Sequence, residues 1–188
     1  DYKLKGLGFT TGGSKQMTTK DFPINSPDDL KGVKFRVLPS DLLIDMYKAW
    51  GANPTPIDFA ELYNSLQQGV VVGEENPLET IYSQKYYEVQ KNLSITNHAP
   101  FLYIITANKA WYDGLSDENR KAVNEAAAYA SDYSFDHMAA VNQDMLKKLE
   151  EGGMIVNQLP QEGREKFIQL SQSVYDKYLT SDKDKALF

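Results

Sequence analysis

The sequence contains no cysteine, which excludes disulfide bonds and metal sites built from thiolates. Histidine is almost as scarce: only His98 and His137 are present, and neither stands in a metal-ligand motif, so we expect no metal. No Ser/His/Asp, Cys/His or phosphate-loop pattern occurs, and we expect no cofactor. No apolar run approaches the ~20 residues of a membrane-spanning helix, and the sequence, which begins at Asp1 without Met, contains no segment with the pattern of a signal peptide.

Positive charge is also in short supply. The 188 residues have a formal net charge of −6 at pH 7, which argues against nucleic acids and anionic membrane surfaces as partners. With 41% hydrophobic and 24% charged residues and no low-complexity tract, the composition is that of an ordinary globular protein. The length suits one domain or two small ones.

The stretch LQQGVVVGEENP, residues 66–77, is the most informative part of the sequence. Three valines at 70–72 predict a short buried strand that Gly73 closes. Three polar side chains follow this strand: Glu74, Glu75 and Asn76. Because ligands of open α/β sheets bind just past the C-terminal ends of strands, the stretch predicts either a binding site or a solvated turn with two surface carboxylates.

A second strand is predicted for VKFRV, residues 33–37. Arg36 alternates with Phe35 and Val37, so its side chain is expected on the opposite face of the strand. An arginine in such a strand is either a surface residue that extends its head into water or a fixed bidentate anchor for a carboxylate.

The remaining periodicity alternates helices with short strands. Helices are predicted at 41–50, 59–68, 78–87, 117–151 and 161–178, the last with Phe167, Leu170 and Val174 facing inward. Strands are predicted at 2–9, 53–57, 154–156 and, as a buried strand, 101–107, with a loop at 10–22. Ser116 is the expected N-cap of the longest helix and Gly152 its terminator. At about 50 Å this helix exceeds the width of a small lobe, and its alanine-rich stripe argues against a coiled coil.

Three segments together resemble the solute-binding subunit of TRAP transporters, the DctP family: DLKGVKFRV, GANPTPIDFAELYNSLQQGVVVGEENP and IYSQKYYEVQKNLSITNH. The likeness covers nearly the whole chain. It implies a periplasmic-binding-protein-like fold of two α/β lobes around a cleft, with a long helix that spans both lobes. It also implies a protein that is not an enzyme, but captures a small organic acid and delivers it to a membrane permease.

The resemblance begins in the family's middle, so we expect a fragment that lacks the N-terminal part of one lobe. It implies that residues 1–13 hold a strand of lobe I and the hinge, and that 14–101 form the ligand-binding lobe II. Residues 102–141 then return to lobe I and begin the spanning helix, and 142–188 complete it and add a strand of lobe II, the C-terminal helix and a frayed tail. A periplasmic monomer is expected, or a lipid-anchored protein in a Gram-positive-like source.

The resemblance also assigns roles to individual residues. Arg36 is the expected main anchor of the carboxylate, and Asn76 is expected to hydrogen-bond the carboxylate or an adjacent hydroxyl. Lys15 stands where the family usually has an arginine; considered alone it is a surface lysine. A lysine is a point charge without the planar fork of arginine, so a plain dicarboxylate cannot be assumed as the ligand.

The other expected contributors are less specific. Phe59 and His98 are expected to form walls, with a core phenylalanine and a structural histidine at the end of an element as the alternatives. Glu75 is expected to accept hydrogen bonds from hydroxyls of the ligand.

Two other functions remain open from the sequence. An enzyme acting on an organic acid would need a positioned acid and base, but Glu74 and Glu75 are adjacent in the chain rather than set on facing walls. A sensory domain could bind the same ligand and signal instead of feeding a permease.

Overall fold

Six strands form one mixed sheet in the computed structural model, which describes residues 2–181. In chain order they are β1 (Leu4–Thr19), β2 (Lys34–Val37), β3 (Asn53–Pro56), β4 (Gly73–Pro77), β5 (Asn92–Asn108) and β6 (Ile155–Gln158). Their order in space is β3-β2-β4-β1-β5-β6. Strand β1 runs antiparallel to β4 and β5, whereas β2 is parallel to β3 and β4 and β5 is parallel to β6. The predicted α/β class is confirmed.

Helices cover both faces of this sheet. They are α1 (Asp41–Ala49), α2 (Leu62–Gln67), α3 (Leu78–Ser83), α4 (Lys109–Asp113), α5 (Asp117–Glu151) and α6 (Gln161–Tyr178). One core contains Phe35, Tyr47 and Phe167, from β2, α1 and α6. The other contains Leu66, Ile81 and Leu149, from α2, α3 and the end of α5. Among the described residues no helix is long and apolar enough to cross a membrane.

The predicted long helix is confirmed as α5. The Ser116 hydroxyl caps it by accepting from the Asn119 amide at 3.3 Å, and acidic residues occupy its first turn, where the helix dipole favours them. The helix packs along β1, where Gly8 and Gly13 give it room: a Cβ at Gly8 would lie 2.5 Å from Ser131 Oγ. Packing against α5 therefore fixes the position of β1, the strand that carries Lys15.

Strand β1 corrects the predicted loop at 10–22, because it continues through residues 10–19. The bend is absorbed within the strand: its register with β5 shifts between Thr11 and Ser14, and Gly13 has a φ of 83°. A bulge with a left-handed glycine re-aims a strand without ending it. Lys15 therefore lies in a paired strand and not in a loop.

Burial was predicted wrongly at two places. The strand at 101–107 exists as part of β5, but Leu102 and Ile104 are 51% and 60% exposed instead of buried. Leu170, which was expected to face inward from α6, is 42% exposed, whereas Phe167 and Val174 of the same helix are buried. Apolar periodicity identified both elements, but it does not tell which apolar side chains another element covers. The frayed tail lies, from residue 182 on, outside the described residues.

Candidate functional site

Residues 70–72, which were predicted to form a strand, form a turn. The strand is β4 instead, and it contains the polar residues Glu74, Glu75 and Asn76. Gly69 ends α2 with a φ of 71°, and the valines that follow turn the chain toward the sheet. Gly73 then opens β4 where a Cβ would lie 2.5 Å from the Thr18 carbonyl oxygen and 2.7 Å from the Phe35 ring. This glycine lets β4 fit between β1 and β2.

Parallel pairing of β2, β3 and β4 brings their C-terminal ends to one edge of the sheet. Arg36 is the second-last residue of β2, and Asn76 is the second-last residue of β4. Phe59 follows the end of β3 after two connecting residues. Lys15 on β1 is paired in register with Pro77, the end of β4. The fold thus carries these predicted site residues to the same edge.

The pleat of the sheet separates these residues onto two faces. Met17 lies opposite Glu75 in the antiparallel register, and Thr18 lies opposite Glu74. Because side chains alternate along a strand, Lys15 and Glu75 share the face of Met17, and Asn76 shares the other face with Glu74.

Lys15, Glu75 and His98 form the first cluster. The Lys15 ammonium lies 2.5 Å from Glu75 Oε1, and the Nε2 of His98 lies 3.1 Å from Glu75 Oε2. Burial acts to raise the pKa of Glu75, but the hydrogen bond and charge of His98 and then the charge of Lys15 outweigh it and lower that pKa below its usual value. Lys15 is only 5% exposed, so the surface alternative is wrong.

His98 lies within β5 and not at the end of an element, contrary to the prediction. The strand stays continuous because an irregularity beside it, where Asn97 has a φ of 45°, absorbs the local bend. The Nδ1 of His98 is 2.7 Å from the Thr96 hydroxyl, and its ring packs edge-on against Trp50. Its role as a wall for a ligand stays a prediction.

Glu74, Asn76 and Thr18 form the second cluster. The Asn76 amide donates to Glu74 Oε2 at 2.6 Å, and the Thr18 hydroxyl donates to Glu74 Oε1 at 2.7 Å. Burial raises the pKa of Glu74 to about 7, although both hydrogen bonds act to lower it. Within the described part of the chain the amide oxygen of Asn76 accepts no hydrogen bond, so it is available to a ligand.

Arg36 has the most exceptional surroundings at this edge. Its side chain is completely buried, and its Nε donates to the Ile57 carbonyl at 2.9 Å. Its Nη1 and Nη2 atoms are also buried, and neither has a hydrogen-bond partner among residues 2–181. Burial lowers the pKa of Arg36, and the negative charge of Glu74 acts in the opposite direction. The surface alternative is wrong, and Arg36 is a fixed cation whose fork is unpaired.

Two buried tyrosines, Tyr47 in one core and Tyr86 in the other, add further polar groups near these clusters. The hydroxyls of Tyr47 and Tyr86 are buried without a hydrogen-bond partner in the described part of the chain. Burial raises the pKa of both phenols, as do nearby glutamates, whereas the charge of Arg36 acts to lower it. The tyrosine-rich pattern at 78–87 predicts that Tyr86 packs with its hydroxyl paired; the packing is correct, but the pairing is wrong among the described residues. For Tyr47 the sequence pattern gives no prediction.

Phe59 is 44% exposed, which excludes the core alternative. It begins a short 3-10 turn, Phe59–Glu61, two residues after the carbonyl that fixes Arg36. Its role as a wall stays a prediction.

A cavity of about 500 Å³ lies elsewhere, between α1, β5 and α6. It is lined by His98 but not by Arg36 or Asn76. Because the Arg36 guanidinium is completely buried, a carboxylate reaches it only if neighbouring side chains move. Among residues 2–181 no group of three or more acidic or histidine side chains is placed to hold a metal ion.

The raised pKa of Glu74 gives a testable pH dependence. A carboxyl whose pKa is higher in the folded state holds its proton there, so its stabilising contribution is complete below about pH 4.5 and is lost as the pH rises through about 7. We expect Glu74→Gln to reduce the fall in the free energy of unfolding between pH 5 and pH 8, measured by urea denaturation. Glu150→Gln, a change at an exposed position of α5, is the control and should retain the wild-type fall. An equal fall in both variants would contradict the assignment.

Comparisons with known proteins identify relatives of this chain. Residues 1–182 match the family model described as bacterial extracellular solute-binding protein, family 7 (DctP). The ectoine-binding periplasmic protein TeaA of Halomonas elongata is 35% identical over 88% of this chain and 49% of its own length. The C4-dicarboxylate-binding periplasmic protein DctP of Vibrio cholerae is 36% identical over 93% of this chain and 52% of its own.

The fold agrees with these relatives. A solved structure of the ectoine-binding protein from the TeaABC TRAP transporter of Halomonas elongata superposes with a TM-score of 0.91 and 34% identity, covering 98% of this chain and 61% of that one. The chain spans about half the length of the curated relatives it matches. It belongs to family 7 of the bacterial extracellular solute-binding proteins, the DctP family.

Proposed function

We propose that this chain is the ligand-anchoring part of a TRAP transporter solute-binding subunit, which captures a small organic acid and delivers it to a membrane permease. The observation that carries the proposal is the Arg36 guanidinium, buried and fixed through Nε, with both Nη groups unpaired. An unpaired buried cation is costly, and a carboxylate offers the two parallel acceptors that the fork requires.

Asn76 supports the same ligand class. Its amide is held by Glu74, on the face and at the edge where Arg36 lies. The partly unpaired amide can bind a hydroxyl beside the carboxylate or the carboxylate itself. A solute held here and by a second lobe would favour the closed state by its differential affinity, and the permease would recognise that closed form.

The proposal includes a location outside the cytoplasmic membrane. Relatives named as periplasmic binding proteins support a periplasmic protein, and they give no support to the lipid-anchored alternative. The monomeric state and the lobe boundaries stay predictions.

Binding without turnover is part of the proposal. Members of this family are solute-binding proteins. The adjacent carboxylates Glu74 and Glu75 face opposite sides of the sheet and are engaged by different partners, so they do not form an acid and base around one substrate.

The test is calorimetry of the full-length protein with a panel of organic acids, together with mass spectrometry of solute that copurifies. We expect at least one carboxylate to bind, and NMR of the incubated mixture to show no product. Product formation would favour an enzyme, and absence of any carboxylate ligand would overturn the proposal. Signalling without permease-dependent uptake would favour the sensory alternative.

A further inference from the structure

We infer that the solute carries one carboxylate and not two, and that the Lys15–Glu75 pair sets this limit. The inference rests on the proposed function, because it concerns the solute that Arg36 anchors. It depends on the cations near the sheet edge and on whether each of them already has a carboxylate partner.

Among the described residues, strands β1 to β4 place two cations near this edge, Lys15 and Arg36, and of these two only Arg36 lacks a carboxylate partner. The Arg36 guanidinium has two Nη groups without a partner and no carboxylate within 4.0 Å among the described residues. The Lys15 ammonium lies 2.5 Å from Glu75, which is 1% exposed and also bonded to His98. Lys15 is therefore already neutralised by a buried protein carboxylate.

The two cations also lie on different faces. Lys15 shares its face with Met17 and Glu75, whereas Arg36 is beside Glu74, on the face of Thr18 and Tyr86. The ammonium rests over the Phe101 ring, with Nζ 5.3 Å from the ring centroid. Among the described residues that β1, β2 and β4 place on this face at the edge, namely Gln16, Thr18, Arg36, Glu74 and Asn76, Arg36 is the only cation.

Charge balance then decides the class of solute. Arg36 and Lys15 supply two positive charges, Glu75 supplies one negative charge, and Glu74 can supply another. One added carboxylate gives these four residues and the solute a net charge of zero if Glu74 is protonated, and of −1 if Glu74 is ionised. A second carboxylate would add a buried charge with no partner, which is strongly unfavourable in a poorly solvated site.

The groups beside Arg36 point the same way. The Glu74 carboxyl and the free oxygen of Asn76 are acceptors, so they favour a donor, such as a hydroxyl or an amine, next to the bound carboxylate. They would repel a second carboxylate at that position.

The experiment compares acids that share a skeleton and differ by one terminal carboxylate: galactonate with galactarate, and butanoate with succinate. Calorimetry of the full-length wild-type protein at pH 7.5 should give, for every pair with measurable binding, at least ~10-fold tighter binding of the acid with one carboxylate. Equal or tighter binding of the dicarboxylate would overturn the inference while leaving the proposed function intact.

A variant tests whether the pair sets the limit. Glu75→Gln keeps the size of the side chain and frees the charge of Lys15, which lies at the same sheet edge as Arg36 although on the other face. A second carboxylate at this edge would then have a positive charge to pair with, so the ratio of dicarboxylate to monocarboxylate affinity should rise at least ~10-fold. Glu150→Gln makes the same charge change at an exposed position and should leave the ratio as in the wild type. An unchanged ratio in a folded Glu75→Gln protein would overturn the role of the pair.

The comparison of wild-type affinities decides the solute class even if Glu75→Gln fails to fold. If neither type of acid binds the wild-type protein, the proposed function fails, and this inference fails with it. If carboxylates bind without the expected preference, only the inference fails.

Discussion

Arg36→Met should weaken binding of the cognate carboxylate by about 30-fold or more, because truncating one partner of a buried charge pair costs about 2–5 kcal/mol. Methionine retains much of the length of the side chain but offers no donor. Calorimetry of the full-length protein measures the loss. Arg36→Lys should fall between the wild type and Arg36→Met, because lysine keeps the charge but lacks the planar fork.

Arg120→Met is a matched control for this prediction. Arg120 is a half-buried arginine in the first turn of α5 whose Nη2 donates to the Asp113 and Leu115 carbonyls. Its replacement makes the same change of charge and should alter affinity by less than about three-fold. Equal affinity of Arg36→Met and the wild type would remove Arg36 from the site.

The same Arg36→Met variant should be no less stable than the wild type without ligand. The cost of the buried guanidinium is offset in the described residues by one hydrogen bond, to Ile57, and not by a salt bridge. Replacing such a charge by an apolar side chain of similar volume is often neutral or stabilising. Loss of affinity without loss of stability would separate a binding role from a structural one.

The largest expected effect on stability is that of Gly73→Ala. The new Cβ would lie 2.5 Å from the Thr18 carbonyl oxygen and 2.7 Å from the ring of Phe35. Both obstacles are fixed, one in the backbone of β1 and the other in a buried ring, so relief requires β4 to shift. We expect a loss of about 3 kcal/mol in the free energy of unfolding, the upper part of the usual range for overpacking.

Gly6→Ala is the control for Gly73→Ala. Gly6 also lies in a strand, but a Cβ there would meet nothing within 4 Å. Its replacement should change the free energy of unfolding by no more than about 1 kcal/mol, with a tendency to stabilise. Similar urea midpoints for the two variants would contradict the tight fit of β4.

Local signals in the sequence were sufficient for much of the fold. Ser116 and Gly152 predict both ends of α5 correctly, because each residue acts on backbone groups next to it in the chain. Arg36 stood out because a charged residue inside an apolar strand has few stable environments. The α/β class followed from the resemblance to the DctP family.

Contacts between distant strands were beyond such signals. The Lys15–Glu75 pair depends on the register of β1 against β4, which joins residues 60 positions apart, so Lys15 alone resembled a surface residue. The strand at 70–72 was misplaced because a glycine after three valines is typical of the end of a strand. In the structure Gly73 begins β4 instead, because its missing Cβ leaves room for Thr18 and Phe35. The exposed face of β5 at 101–107 depends on which elements cover it, and periodicity does not record that.

The most direct test of the account is a crystal structure of the full-length protein with a bound carboxylate solute. We predict two carboxylate oxygens within about 3.2 Å of Nη1 and Nη2 of Arg36, and Lys15 still paired with Glu75. A bound solute whose carboxylate contacts other residues while the Arg36 fork remains empty would contradict the account.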